Sequence, residues 1–363
     1  LRITAQLINS KTGFHMWSQT FEGDAGDVFK VQDDIAIAIT DILKSKLSLI
    51  GVKRNSSAAV NPEAYDSYLQ GRTFIARRWL ENLDKAIVAF DRAIEIDPDY
   101  SAAYSGRAFA YTLRPLYDGG GRDEALKHAR TSAEQALKLD TENAEAYMVR
   151  GMVKFYSYDA TSAKSALERA RALAPGSVDM LNMEGDYQLS IGDLGSAERN
   201  KRQAMVLDPL SFVHPMNLAD VFIAQGRNKE AIDLANQSIE LGSGLYGYDR
   251  LVIANSRLKR VDATRIAAEK ACEFEPSFIH CQSSRIMVLI AEGKLLQAKE
   301  MLDSAAQKEQ KNIAQMNDYT PSLFSSLYLE VNDIDNATKW QKIAYINGDW
   351  FPTNTLTNAP GGA

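Results

Sequence analysis

Residues 146–175 read "AYMVRGMVKFYSYDATSAKSALERARALAP". Small residues stand at Gly151, Ala163 and Ala170, bulky ones at Tyr147 and Leu167, and Pro175 closes the run. Ala163 and Ala170 are two helical turns apart, so they share one face of a helix. The same spacing recurs along the chain. Ala86, Ala129, Ala163, Ala197, Ala231, Thr264, Ala298 and Ala337 each precede by seven residues a second small one: Ala93, Ala136, Ala170, Ala204, Ser238, Ala271, Ala305 and Ala344. Subtracting successive first members gives steps of 43, 34, 34, 34, 33, 34 and 39 residues. A core period of 34 is the mark of a stacked array of helical hairpins.

On those residues the chain resembles the tetratricopeptide repeat (TPR). Tyr147, Gly151, Ala163, Leu167, Ala170 and Pro175 fall where that pattern sets an aromatic, two small residues, a bulky one, a small one and a proline. The next unit repeats it with Leu181, Gly185, Ala197, Ala204 and Pro209. Small residues let the two antiparallel helices approach, bulky ones fill the gap between them, and a proline stops the second helix because it has no amide donor. Pro98, Pro209 and Pro276 take that last role; Ser243 replaces it in the fifth unit, where Gly242 can take a left-handed stop instead. Departures are expected to be loops or extended helix ends: about three extra residues between Gly71 and Ala86, about nine around "TLRPLYDGGGRDE" (112–124), and a longer step through "KEQKNIAQMNDYT" (308–320). The expected fold is mostly α, a right-handed TPR α-solenoid of about eight helical hairpins over residues 62–349. A linker at 50–61 precedes it and an irregular tail at 350–363 follows it.

The first 49 residues follow a different pattern. "RITAQLI" (2–8) alternates and is β-branched, "SKTG" supplies a turn, and "FHMWSQTF" (14–21) reads as the return strand. Asp27 then caps a helix whose Val28, Val31, Ile35, Ile39, Ile42 and Leu43 recur at helical spacing. About the first 49 residues, with the strand, the Thr-Gly turn, Trp17 and the "QDDIA" helix start, resemble the closing segment of the TolB-like domain of multidomain bacterial regulators. The resemblance implies a partial α/β segment at 1–49, a TPR array behind it, and an output domain ahead of it, either a class III nucleotidyl cyclase or a winged-helix DNA-binding domain. Leu1 in place of Met, with no leader-like segment, is expected of a piece cut from a longer product.

Composition narrows the function classes. A formal net charge of −6 argues against a nucleic-acid surface. The longest apolar runs, such as "MVLIA" (287–291), are far short of a membrane span. Cys272 and Cys281 read as buried free thiols, consistent with a reducing, cytoplasmic setting; a periplasmic one would follow from an upstream membrane span in the parent protein. His15, His128, His214 and His280 lack a second ligand at helical spacing, so no metal or other cofactor is expected. "GGGRDE" (119–124) lacks the Lys-Ser/Thr of a phosphate loop, and no nucleophile elbow occurs. The fragment is therefore read as non-enzymatic, with any catalytic domain lying upstream.

What remains is recognition of a protein or peptide by the concave wall. The register places Met148, Met152, Phe155, Asn182, Asp186, Met216, Asp220, Tyr246 and Asp249 there. Methionines adapt to apolar groups and a carboxylate row selects cations, so the expected partner is a peptide with apolar and basic residues. The alternative reading makes the methionines partly core and the aspartates mere solubilising charge. Lys and Arg are missing from these wall positions, which disfavours a clamp for acidic chaperone tails. Three functions compete: the sensor or partner-binding arm of a bacterial signalling or transcription regulator, the regulatory part of an adenylate or guanylate cyclase, and a stand-alone assembly scaffold. In the first, partner occupancy changes the superhelix or its self-association.

Overall fold

Short polar side chains that can accept from free backbone amides mark the starts of several helices. Asn61, Asn143, Asp159, Ser177 and Asp193 each accept a hydrogen bond from a backbone N–H in the first turn of the helix they precede. In the computed structural model, the described residues are 2–8, 15–23, 31, 34, 35, 38, 61–118, 121–157, 159–274, 281–310 and 320–346. Among them sixteen helices pair into eight antiparallel hairpins. These are α1 (Pro62–Arg77) with α2 (Leu80–Ile96), α3 (Ser101–Leu113) with α4 (Arg122–Leu139), α5 (Ala144–Tyr156) with α6 (Ala160–Leu173), and α7 (Val178–Ser190) with α8 (Leu194–Leu207). There follow α9 (Val213–Ala224) with α10 (Asn228–Glu240), α11 (Leu245–Arg257) with α12 (Val261–Phe274), α13 (Ser283–Ala291) with α14 (Leu295–Gln310), and α15 (Thr320–Glu330) with α16 (Ile334–Ile346). A short turn of helix at Pro115–Asp118 interrupts the second connector.

Packing follows the small residues. From Ala86 to Ala344 the residues that set the period have no exposed surface, except Ala305, which is half-buried while its neighbour Ala306 turns inward. The close approach is visible at Gly151, where an added Cβ would stand 2.7 Å from Leu167 Cγ and 3.3 Å from the Ala163 carbonyl oxygen. Helices α2 and α8 stop just before Asp97-Pro98 and Asp208-Pro209. Gly242, at φ +102°, ends the fifth hairpin where proline is replaced.

Two strands, β1 (Arg2–Ile8) and β2 (His15–Glu22), pair antiparallel in a register from Arg2↔Glu22 to Leu7↔Trp17. Thr4 and Thr20 hydroxyls meet across them at 2.9 Å. The expected turn at 10–13, residues 50–60 of the linker, Pro276, most of the 308–320 step, the tail at 350–363 and most of the 28–49 helix lie outside the described residues. No helix among those described is long and apolar enough to cross a membrane.

The cysteines require a correction. Cys272, in the last turn of α12, and Cys281, just before α13, are joined in a disulfide with their Cα atoms 4.4 Å apart. The sequence separates them by only nine residues, but no periodicity reveals that their Cα atoms come within disulfide reach.

Candidate functional site

The two insertions converge on one place. The first lengthens α1 and leaves Arg78 and Trp79 as a two-residue elbow before α2, both at positive φ (55° and 64°). The second places Tyr117 on its short helical turn. Trp79 stacks on Tyr246 of α11 with ring centroids 5.3 Å apart, and Tyr117 meets the same ring edge-on at 5.7 Å. Arg78 Nη2 lies 3.6 Å from Asp179 Oδ1 on α7, and its guanidinium sits 5.7 Å from the Phe109 ring of α3. Arg72, one helical turn and a half upstream on α1, donates to Glu145 on α5 and, at 3.1 Å, to Asp179. Groups from hairpins one, two, three, four and six thus meet inside the turn of the solenoid.

Of the residues assigned to this wall from sequence, four are packed away. Met148 and Met152 are 2% and 1% exposed and belong to the core of the first four hairpins. Met216 lies with Phe212 and Val213 beneath Leu241 and Tyr246. Asn182 is 2% exposed, its side-chain oxygen accepting from Lys201 Nζ at 2.8 Å and Asn217 Nδ2 at 2.9 Å. The reason is geometric: adjacent first helices approach closely, so this register position faces a neighbouring helix rather than the channel. Phe155 is half-buried and packs edge-on against Tyr187 at 5.4 Å.

The aspartates are engaged as well. Lys201, on α8, is fully buried and stands at the plug position that Leu167 occupies one repeat earlier; a Cβ on Gly185 would meet its Cε at 2.7 Å. Its ammonium donates to the Asn182 carbonyl at 2.7 Å and to the Asp186 carboxylate. Burial pushes the Asp186 carboxyl up and the Lys201 ammonium down, each opposed by the charge of the other. Asp220 takes a bidentate fork from Arg250, with Nε to Oδ1 at 2.9 Å and Nη2 to Oδ2 at 2.7 Å. His214 is buried at 3.3 Å from Asp208, and burial holds its imidazole below the ordinary value. Asp249 is half-buried on α11, and its charge acts on Arg250 and Tyr246.

Sequence reasoning missed Arg78, Trp79, Tyr117, Lys201 and Arg250. Loops or extended helix ends are the expectation for the insertions, and α1 is indeed extended, but the register does not carry the inward course of Arg78, Trp79 and Tyr117; a lysine at a plug position is itself a signal.

Eight stacked hairpins on a 34-residue period define a tetratricopeptide-repeat array. A description of the tetratricopeptide repeat matches residues 80–100. A protein of Rhizobium meliloti (strain 1021) named "Putative adenylate cyclase 3" is 31% identical over 142 residues, which is 39% of this chain and 24% of that protein. The chain thus spans about a quarter of that relative's length. Among solved structures, a monomeric mutant of IFIT1 with Gppp-AAAA is similar at a TM-score of 0.52 and 12% identity, covering 88% of this chain and 78% of that one. The pilus biogenesis factor PilW is similar at a TM-score of 0.47 and 17% identity, covering 59% of this chain and 94% of that one.

Proposed function

We propose that the chain is a non-catalytic TPR scaffold whose concave channel binds a protein or peptide, serving as the sensor or partner-binding arm of a multidomain bacterial regulator. The observation that carries this reading is the channel itself: Asp179, Asp220 and Tyr246 come from three successive first helices onto one inner face. Such a face suits a ligand bearing cationic and aromatic groups. The β1–β2 ribbon, too small to be stable alone, supports attachment to a further α/β segment of the TolB-like kind.

A second reading, the regulatory C-terminal part of a nucleotidyl cyclase, is favoured by the stretch shared with the Rhizobium protein. The Cys272–Cys281 disulfide weighs toward an oxidising compartment such as the periplasm and away from the cytoplasm expected of free thiols.

A photo-crosslinking side chain at Asp249, on the channel side of α11, should trap a partner in the parent organism, whereas one at the exposed Glu269 on α12 should not. Trapping from Glu269 and never from Asp249 would place recognition on the outer surface and reject the channel. For the cyclase reading, Asp220→Asn in the intact parent should alter nucleotidyl cyclase output whereas Glu269→Gln on the outer surface should not, and unchanged output from both would reject it.

A further inference from the structure

The channel is not open: its own chain fills it. Arg78 is 6% exposed and reaches Asp179, and Trp79 lies on Tyr246, two residues placed 101 and 167 positions further along. We infer that the Arg78–Trp79 elbow is a built-in competitor for the channel's ligand, and that this ligand is a peptide carrying an arginine beside a large aromatic residue. The inference rests on the channel reading above and names both its ligand class and its control.

Three observations support a plug that can leave. Arg78 and Trp79 stand consecutively at positive φ, and at Arg78 (φ 55°, ψ −156°) the backbone is in a region that side chains other than glycine rarely adopt. The surroundings must hold that geometry, since the backbone alone does not favour it. Arg78 Nη1 is buried with no acceptor, so the elbow is held in place with one of its own donors unmet, a cost that leaving the channel would relieve. Withdrawing the elbow would leave Arg72 as one positive charge shared between Glu145 and Asp179, a cation-sized deficit, and would vacate the face of Tyr246 on which Trp79 stacks while Tyr117 stays at its edge. The elbow thus outlines its replacement: a guanidinium for Asp179 and an aromatic plane for Tyr246.

The test uses a fluorescent peptide of residues 74–83, FIARRWLENL, titrated by anisotropy into the full chain and into its R78G/W79G variant, in which glycine accepts the positive φ. The variant should bind at least tenfold more tightly than the wild type, and the same peptide with both central residues changed to alanine should bind neither. Equal affinity for variant and wild type would show that the elbow competes with nothing, overturning autoinhibition while leaving the crosslinking result to stand. No binding to a folded variant, or equal binding of the alanine peptide, would overturn the arginine–aromatic assignment. If circular dichroism shows the variant unfolded, the wild type decides: excess peptide should raise amide exchange at residues 78–83, and unchanged exchange there overturns the inference.

Discussion

Lys201 shows how far a single position can be read. It stands four residues after Ala197, as Leu167 stands four after Ala163 and Phe90 four after Ala86. The repeat therefore predicts a buried plug there, and burial is what the structure shows. The register could not supply the partner, because Asp186 and Asn182 satisfy the ammonium through contacts specific to this hairpin. Removing one member of a buried pair strands the other charge, which costs about 3 kcal/mol or more, whereas replacing both with apolar groups is often neutral. Lys201→Met should accordingly lower unfolding free energy by about 3 kcal/mol in urea titration. The double change of Lys201→Leu with Asp186→Leu should recover most of that loss. The same register misplaced Met148, Met152 and Met216, because it gives a residue's angle around a helix but not how near the neighbouring helix stands.

At the scale of elements, the helical hairpins were legible because two periods agree: small residues every seven along the second helices, and whole units every 34. Asn, Asp and Ser caps mark several of the helix starts, and Asp-Pro stops close α2 and α8. Connectors were not legible in this way. The extra residues before Ala86 and in 112–124 were located correctly as departures, yet their inward course depends on contacts with α7 and α11, far along the chain. The Cys272–Cys281 bond belongs to the same class. Closing a loop of nine residues removes denatured-state entropy worth roughly 2.5 kcal/mol. Reduction should therefore lower the stability of hairpins six and seven by about that amount, seen as faster amide exchange in α12 and α13. Little change there should occur at α5 and α6, since a repeat array couples mainly between neighbours.

For the whole molecule, the solenoid is proposed to be a channel occupied by its own first two repeats. The array was evident from sequence, and the proposal that it serves as a recognition surface rests on fold-level analogy together with the aspartates on the inner face. What the period could not show is closure, since a repeat pattern specifies contacts only between adjacent units. The most direct measurement is a double-mutant cycle between Trp79 and Tyr246, 167 residues apart in sequence and ring-to-ring at 5.3 Å. Trp79→Ala, Tyr246→Ala and the double variant, compared by urea unfolding, should give a coupling of about 1 kcal/mol. Additive effects, with coupling below about 0.3 kcal/mol, would mean that the elbow does not sit in the channel and would contradict the account.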